Sequence, residues 1–413
     1  MKSSFSEFLK NEYIENSIEE ENISLFLPYI SWGYLMGIDG IPLTRIIMIV
    51  GDPASFKTTF LYYISRIFHF YGGNSVIVDT ESNKYSLKDE MLYNIKDEKE
   101  TVFNITKPSM EEWQSLIFGI LSKYKSSKNK ENVGPLMISV DSVIGGLDDR
   151  TYKKAEKDGF VSTGFSPQPN ILSSLSKKLC RDLYESKNVT IFLTNHEKKY
   201  KDPLTGIVNV EYPGGFRIKF MSSSILSFSK IKGPVRYKNR IEYQVKITVR
   251  KNRFGPEKNC IVVPWIIRED CRCAYFDFIK ADLDFLFNFL GQNKATMEYL
   301  EEKISKVINI KCVSGGPKGK IYYCKELGIS KEDGLDGKKL MIELYKNDKI
   351  FNDLMDVLDI KRFKKFGEFD LIKFLNQEVK LKSDSKQVEE NNDEEKIEEE
   401  DNNSDESELQ QEE

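Results

Sequence analysis

One eight-residue segment, residues 51–58, constrains the fold of this chain more than any other part of the sequence. It consists of Gly51, Asp52, Pro53, Ala54, Ser55, Phe56, Lys57 and Thr58. An apolar, strand-like run precedes it at residues 45–50, and a helical run follows it. Apart from Phe56 in place of the second glycine, the segment matches the phosphate-loop pattern G-x-x-x-x-G-K-[ST]. This pattern predicts a site for nucleotide phosphates, with loop N–H groups and the helix N-terminus facing the anion.

The residue types in this loop predict separate roles. Lys57 would reach the β- and γ-phosphate oxygens of ATP, and the Thr58 hydroxyl would ligate Mg²⁺. Thr59 continues the first helical turn and is counted with the loop as a nucleotide contact. Phe56 departs from the pattern, because a bulky residue is costly at a positive φ. We therefore expect the loop to accommodate Phe56 in another way.

Strands and helices alternate along the chain after residue 45. Strand-like runs lie at residues 45–50, 75–78, 136–140 and 189–194, and helical runs lie at residues 58–71, 110–125 and 171–186. This alternation predicts an α/β fold, a mostly parallel sheet with helices on both faces. Runs at residues 225–231 and 243–250 flank Gly233-Pro234, so they are expected to pair as a long hairpin. Residues 260–267 are predicted to add one more strand.

Polar residues follow three of the predicted strands. Asp141 ends the run 136–140, Asp79 and Glu81 follow the run 75–78, and Asn195-His196 follows the run 189–194. Because the carboxyl ends of parallel strands share one sheet edge, we expect these residues to lie beside the phosphate loop. Asp141 would hold Mg²⁺, Glu81 would polarise the attacking water, and Asn195 and His196 would sense the γ-phosphate. Taken singly, each would more commonly be a cap or a turn residue.

The charge of the chain is unevenly distributed. Residues 384–413 carry 15 acidic and 2 basic side chains, a net charge of −13, whereas residues 1–383 carry 59 basic and 50 acidic side chains, a net charge of +9. A basic body with an acidic end predicts a polyanionic partner and a tail that competes with it. The alternative is a tail that only keeps the protein soluble.

Composition excludes several classes of protein. The longest apolar run near the start, residues 46–50, is far shorter than the ~20 residues of a membrane span, and residues 1–20 lack the apolar stretch of a secretory signal. Six scattered cysteines make a disulfide framework unexpected, and their spacing matches no metal site. We therefore expect an intracellular protein without a membrane partner.

These motifs resemble those of RecA-type recombinases, and most closely those of the phage recombinases called UvsX. The resemblance covers residues 30–290 well and residues 290–380 weakly. It is carried by the Gly-rich lead-in Gly33 to Pro42, the phosphate loop with Phe56, Asp79-Thr80-Glu81, Asp141-Ser142, Asn195-His196, Gly214-Gly215 and Lys251-Asn252-Arg253. The resemblance implies a RecA-like ATPase core at residues 31–285, a polymerisation helix within residues 1–30, a small C-terminal domain at residues 286–380 and a disordered acidic tail at residues 381–413.

The resemblance also implies where DNA and the nucleotide base bind. Two loops of the family line the DNA path and map to residues 144–170 and 197–214. Their candidate DNA-binding residues are Arg150, Lys153, Lys154, Lys157, Lys198, Lys199, Tyr200 and Lys201, with Arg217 just beyond. Basic residues neutralise phosphates, and an aromatic ring can stack on a base. Tyr85 would contact adenine, although its register differs from the family pattern. Without the family, each basic run would be read as a solvated loop.

The function implied by the resemblance is an ATP-dependent recombinase that forms a helical filament on single-stranded DNA. Lys251 and Arg253 would reach the ATP of a neighbouring subunit. The cofactors would be ATP and Mg²⁺, and the partners single- and double-stranded DNA, further copies of the chain, a recombination mediator and a single-strand-binding protein. The expected location is the cytoplasm of a phage-infected host cell.

Two other functions remain open from the residues alone. A hexameric DNA helicase or another DNA-dependent motor would use the same Lys57, Asp141 and Glu81, although only about 40 residues precede the core. A regulatory nucleotide-binding protein without strand exchange would also fit. Closed rings or filaments in micrographs, and ATP turnover with and without single-stranded DNA, distinguish the three.

Overall fold

A computed structural model of the chain describes residues 23–80, 101–104, 110–127, 134–144, 168–213, 216–231, 233–237, 239–268, 273–288, 294–314 and 320–376. Glu81, Tyr85, Arg150, Lys153, Lys154, Lys157, Gly214 and Gly215 lie outside the described residues, as do the predicted acidic tail and residues 1–22. Among the helices of the described ranges, none has the length and apolar character needed to cross a membrane.

A ten-stranded mixed sheet forms the centre of the described structure. The strands are β3 (Arg45–Gly51), β4 (Asn74–Asp79), β5 (Thr101–Asn104), β6 (Leu136–Asp141), β7 (Val189–His196), β10 (Ser224–Lys230), β11 (Val235–Tyr237), β12 (Arg240–Asn252), β13 (Cys260–Arg268) and β14 (Cys273–Phe276). The parallel part of the sheet has the order β10-β3-β7-β6-β4-β5. The antiparallel part continues from β10 through β12 and β13 to β14, with β11 paired to β12.

Helices cover both faces of this sheet because its central strands are apolar on both sides. In β3, Ile47 and Ile49 pack into one buried cluster, while Ile46, Met48 and Val50 pack into another. Such two-sided burial is the pattern of a parallel strand between helical layers. The first cluster includes residues of α1 (Ile30–Met36), α2 (Lys57–Phe70), α6 (Phe278–Asn288), α7 (Lys294–Ser305), α8 (Gly337–Lys346) and α9 (Asp348–Val357). The second includes residues of α3 (Met110–Ser126), α4 (Gln168–Ser186) and α5 (Phe216–Met221).

Three smaller sheets complete the described structure. Strand β1 (Ile23–Phe26) pairs with β2 (Gly40–Pro42) and, in parallel, with β17 (Lys364–Lys365). Strands β8 (Lys198–Lys201) and β9 (Val208–Glu211) form a hairpin, and β15 (Lys311–Ser314) pairs with β16 (Lys320–Tyr323). The β1–β17 pair therefore joins the first described strand to the last.

A buried carboxylate joins α1, α6 and the C-terminal helices. Asp282 of α6 is fully buried and accepts hydrogen bonds from the backbone N–H of Ile30 at 2.7 Å and of Ser31 at 2.9 Å. The Ser31 hydroxyl and the Tyr345 hydroxyl, the latter at 2.8 Å, also donate to it. Asp282 thus satisfies the free N–H groups at the start of α1 from a distant part of the sequence. The predicted domain boundary at residue 285 lies inside α6, and the C-terminal helices share one apolar cluster with the sheet.

The strand–helix alternation and the long hairpin of β10 and β12 agree with the sequence prediction. Residues 23–26 are a correction, because they form strand β1 and not part of an N-terminal helix. Pairing with β2 and β17 supplies the backbone hydrogen bonds that a helix would have formed internally. Strands β5 and β14 were not predicted from the sequence.

Candidate nucleotide-binding site

The phosphate loop lies between β3 and α2, as the sequence predicts. Gly51 has a φ of 152°, and a Cβ atom at this position would lie 2.3 Å from the carbonyl oxygen of Phe228. Any larger residue would push the end of β3 away from β10. Asp52, Pro53 and Ala54 are exposed, whereas Ser55 is buried. The tight start of the loop therefore follows from the packing of β3 against β10.

Phe56 adopts a positive φ, and its ring contacts account for how the loop accommodates it. It has φ 70° and ψ 24°, the left-handed conformation that the missing glycine would adopt easily. Its ring packs edge-on against Tyr243 at 5.1 Å and lies 5.8 Å from Trp265. The Lys230 ammonium lies 5.0 Å from the centre of the Phe56 ring. These aromatic and cation–π contacts offset the cost of the backbone conformation.

Lys57 and Thr58 begin α2 with their polar groups at the loop. The Lys57 Nζ donates to the carbonyl oxygens of Gly51 at 3.1 Å and Asp52 at 2.9 Å. The Thr58 hydroxyl donates to Oδ2 of Asp141 at 2.5 Å. The other oxygen of Asp141 accepts a hydrogen bond from the Thr194 hydroxyl. The carboxyl end of β6 thereby meets the first turn of α2, as expected for parallel strands that share one edge.

A cavity of about 360 Å³ opens at this edge. It is lined by Pro53, Ala54, Ser55, Phe56, Lys57, Thr58, Thr59, Asp141, His196, Lys230, Tyr243 and Ile267. His196 thus reaches the cavity, whereas Asn195 is fully buried. The Asn195 amide donates to the carbonyl oxygen of Pro213 at 2.8 Å, and its oxygen accepts from the His196 N–H. Asn195 therefore holds together the two ends of the segment that follows β7.

Asp79 lies beside Asp141 in the register of β4 and β6. Both residues are buried, and Asp141 lines the cavity. The next residue, Thr80, donates its hydroxyl to the carbonyl oxygen of Ser142 at 2.5 Å and is the last described residue before Glu81. The catalytic role expected of Glu81 and the adenine contact expected of Tyr85 remain predictions.

Lys230, Tyr243 and Ile267 line the cavity without having been predicted from the sequence. They come from three successive antiparallel strands, β10, β12 and β13, which lie to one side of β3. The Lys230 ammonium lies 5.5 Å from the centre of the Tyr243 ring. No sequence motif marks these positions, because only the strand order brings them to the phosphate loop. Their aromatic and apolar surfaces suit a flat base, and Lys230 adds a positive charge.

The predicted second DNA-binding loop contains an ordered hairpin. Lys198, Lys199, Tyr200 and Lys201 form β8 and are all exposed. The Tyr200 hydroxyl donates to Glu211 of β9 at 3.3 Å. Arg217 is exposed on α5, the helix that follows the hairpin. The structure thus gathers these five predicted DNA-binding residues in one region of successive elements.

Lys251 and Arg253 lie away from the protomer's own phosphate loop. The Lys251 Nζ donates to the carbonyl oxygens of Lys219 at 2.7 Å, Phe220 at 3.0 Å and Ser222 at 2.6 Å. Burial, with the nearby positive charges of Arg253 and Lys219, lowers the pKa of Lys251 to about 8. Arg253 donates to the Phe220 carbonyl oxygen at 3.0 Å. Both cations therefore cap the carboxyl end of α5.

Arg253 also lines a second cavity of about 480 Å³ at the opposite end of β3. Its described lining includes the cations Arg45 and Lys361 and contains no acidic residue. Thr44 and Arg45 mark the start of β3, and Gly51 marks its end at the phosphate loop. The two cavities are thus separated by the length of a seven-residue strand, about 20 Å.

The phosphate-loop cavity fits a nucleotide with Mg²⁺ on three observations. The carbonyl group of Phe228 lies so close to Gly51 that no side chain fits there, so the loop backbone at Gly51 is not covered by a side chain. The Ser55 hydroxyl is buried and has no hydrogen-bond partner among the described residues. Thr58 and Asp141 present hydroxyl and carboxylate oxygens to each other, and oxygen ligands are those that Mg²⁺ prefers.

Comparison with known proteins gives a consistent result. No family model matches the chain. The RecA protein of Mesomycoplasma hyopneumoniae strain 7448 is 25% identical over 288 residues, which cover 66% of this chain and 79% of that protein. The RecA protein of Ureaplasma parvum serovar 3 is 24% identical over 311 residues, covering 73% of this chain and 84% of that protein. These similarities to RecA proteins support a RecA-type family for this chain.

The RecA protein of Thermus thermophilus is 26% identical over 227 residues, which cover 54% of this chain and 60% of that protein. The predicted family and the RecA-like α/β core are confirmed. The closer likeness to the phage UvsX recombinases stays a prediction. The RecA-type core accounts for the parallel strands that carry the phosphate loop and Asp141.

Proposed function

We propose that this protein is a DNA-dependent ATPase that forms a helical filament on single-stranded DNA and promotes homologous pairing and strand exchange in recombination, repair and recombination-dependent replication. The observation that carries the proposal is the pairing of Thr58 with Asp141 beside Lys57, at the phosphate loop of a RecA-type chain. The similarity to RecA proteins supports the DNA-linked function. The cytoplasm of a phage-infected cell is the proposed location.

The cavity residues have complementary roles in this proposal. ATP with Mg²⁺ would supply the phosphoryl group that is hydrolysed. Lys57 holds positive charge at the loop, and Thr58 and Asp141 would hold the metal. His196 would sense the γ-phosphate, with Asn195 holding His196 at the base of the following hairpin. Glu81, two residues beyond Asp79, would orient the attacking water.

The position of Arg253 supports a nucleotide site completed by a neighbouring protomer. The cavity at one end of β3 is basic, and the loop at the other end binds anions, so both suit the negative charge of nucleotide phosphates placed between two protomers. Head-to-tail stacking would bring the two together, and a heterologous contact that does not close produces a helix. Arg253 would then stabilise the developing phosphate charge, as an arginine finger does. Lys251 would first have to leave the carbonyl oxygens at the end of α5.

The exposed basic strand β8 supports DNA binding next to this site. Its three lysines would neutralise phosphates, and Tyr200 would stack on a base. We also propose a polymerisation helix in the part of residues 1–30 that precedes β1, a C-terminal domain at residues 286–380 and an acidic tail at residues 381–413. A recombination mediator and a single-strand-binding protein complete the proposed partners, with double-stranded DNA as the second substrate.

Electron microscopy and hydrolysis assays test the proposed function together. We expect helical filaments on single-stranded DNA with a non-hydrolysable ATP analogue, and ATP hydrolysis that rises when single-stranded DNA is added. A strand-exchange assay with homologous and heterologous duplexes then tests the recombinase step. Closed rings that unwind duplex DNA would instead support the helicase alternative, and hydrolysis indifferent to DNA would contradict the proposal.

Mixing two inactive variants tests the shared nucleotide site. Lys57→Ala protomers keep an intact Arg253, and Arg253→Ala protomers keep an intact phosphate loop. Some mixed interfaces would then contain a complete site, so DNA-dependent hydrolysis in the mixture is expected to exceed the sum of the two separate activities several-fold. Phosphate release is the measurement.

Co-assembly of the two variants is the control for this experiment. Differently labelled variants must co-sediment on the same single-stranded DNA. If they do and hydrolysis remains additive, Arg253 acts within its own protomer or on DNA phosphates, and the shared-site model is wrong.

A further inference from the structure

Four side chains of alternating charge connect the phosphate loop with the basic strand β8. The Lys199 Nζ lies 3.6 Å from Oδ2 of Asp52 and 3.9 Å from Oε2 of Glu197. The other oxygen of Glu197 lies 3.8 Å from Nε of Arg250. Asp52 is the second residue of the phosphate loop, and Arg250 directly precedes Lys251 in β12. The row therefore reaches from the proposed nucleotide site into the proposed DNA-binding hairpin.

Glu197 gives this row a fixed centre. Its side chain is only 2% exposed, and its Oε1 has no hydrogen-bond partner among the described residues. A buried carboxylate is costly unless cations offset its charge. In the part of the chain that the structure describes, Lys199 and Arg250 are the cations within 4.0 Å of it. Glu197 thus holds the ammonium of Lys199 at the base of the hairpin, facing Asp52.

Lys199 differs from its neighbours in β8 in the direction that its side chain takes. Successive side chains of a strand point to opposite faces, so Lys198 and Tyr200 share one face and Lys199 lies on the other. Lys198 pairs with Glu211 in the strand register, and the Tyr200 hydroxyl also contacts Glu211. The side that carries Lys199 is therefore the side that meets the phosphate loop.

The contacts of Lys199 are of a kind that another anion can replace. Its side chain is 47% exposed, and Asp52 is 61% exposed. Distances of 3.6 and 3.9 Å are longer than direct hydrogen bonds, so attraction between charges holds the ammonium in place. Exposed pairs of this kind are weak and are screened by salt. A nucleic-acid phosphate at the hairpin would compete for the same ammonium.

We propose that Lys199 is a positioning residue shared between two anions, held by Asp52 and Glu197 in the free protein and taken by a DNA phosphate when DNA binds. The inference rests on the proposed function, because it assumes that the hairpin contacts DNA. Asp52 then lowers DNA affinity by holding Lys199. When DNA takes Lys199, Asp52 loses the cation that faces it in the free protein.

A double-mutant cycle on Asp52 and Lys199 tests the inference without nucleotide. Binding of a fluorescein-labelled oligo-dT would be followed by anisotropy at low salt. Asp52→Asn is expected to raise the affinity about two- to fivefold, the range of an exposed ion pair. The same substitution in a Lys199→Gln background is expected to change nothing, because no lysine remains to be released. The gain should shrink as salt is added.

Glu211→Gln is the matched control. It removes one negative charge from the same hairpin without touching Lys199, so its effect should be equal in the Lys199 and Lys199→Gln backgrounds. An Asp52→Asn effect that is equal in both backgrounds, or absent in both, would overturn the inference while leaving the proposed function intact. A wild-type protein that does not bind the oligonucleotide would overturn the proposed function and this inference with it.

Discussion

Lys57→Ala is expected to lower the rate of ATP hydrolysis at least about a hundredfold, the typical effect of removing one preorganised group that stabilises transition-state charge. The Lys57 ammonium is held at the mouth of the loop by the carbonyl oxygens of Gly51 and Asp52, so its charge is already positioned for a phosphate. Phosphate release at saturating single-stranded DNA measures the effect.

The result tests the role of Lys57 only if the Lys57→Ala protein is folded. Circular dichroism and thermal unfolding should match those of the wild type within a few degrees. Lys123→Ala, which removes an exposed lysine outside the cavity, is the matched control and should leave hydrolysis unchanged. Normal DNA-stimulated hydrolysis by a folded Lys57→Ala protein would contradict the assignment of the phosphate loop.

Asp282→Ala is expected to lower the free energy of unfolding by about 3 kcal/mol or more, since each buried donor left without an acceptor costs ~1–3 kcal/mol. The substitution leaves four donors in the interior, namely the N–H groups of Ile30 and Ser31 and the hydroxyls of Ser31 and Tyr345. Urea unfolding at pH 7 followed by tryptophan fluorescence is the measurement, because the buried Trp32 lies in α1.

Tyr345→Phe is the graded control for this prediction. It removes one of the four donors and leaves Asp282 in place, so a loss of only about 1 kcal/mol is expected. If the two variants lose the same free energy of unfolding, Asp282 does not hold α1, α6 and α8 together.

The pH dependence of Asp282 provides a second check. Burial, partly offset by the hydrogen bonds from Ser31, Tyr345 and Ile30, raises the pKa of Asp282 from 3.8 to about 6. A carboxyl whose pKa is raised in the folded state contributes most to the free energy of unfolding at pH values below its unfolded pKa. This contribution is lost as the pH rises through its folded pKa. The difference in free energy of unfolding between wild type and Asp282→Ala should therefore decrease between about pH 4 and pH 6.

The parallel half of the fold could be predicted from the sequence because its signal is local. The run at residues 45–50 is apolar at every position after Arg45, and the loop that follows has a recognisable spacing. Short strands escaped prediction for the opposite reason. Strand β1 is only four residues long and depends on pairing with residues 364–365, far away in the sequence. A four-residue strand carries too little periodicity to be separated from a helical turn.

The candidate site divides in the same way. Lys57, Thr58 and Asp141 could be placed from motif and strand order, whereas Tyr243 and Lys230 reach the cavity only because β12 and β10 lie beside β3. The means by which Phe56 is accommodated could not be predicted, because its strain is offset by aromatic rings from distant strands that no local pattern reveals.

The parallel pairing of β1 with β17 imposes an order on biosynthesis. Ile23 pairs with Lys364, so a ribosome must make most of the chain before the first described strand finds its second neighbour. Until then Phe26 lacks its ring contacts with Phe351 and Phe369. Contacts of such sequence separation form slowly, and uncovered apolar surface favours aggregation of the growing chain. The emerging protein therefore depends on a segment made late in synthesis to complete the pairing of its first described strand.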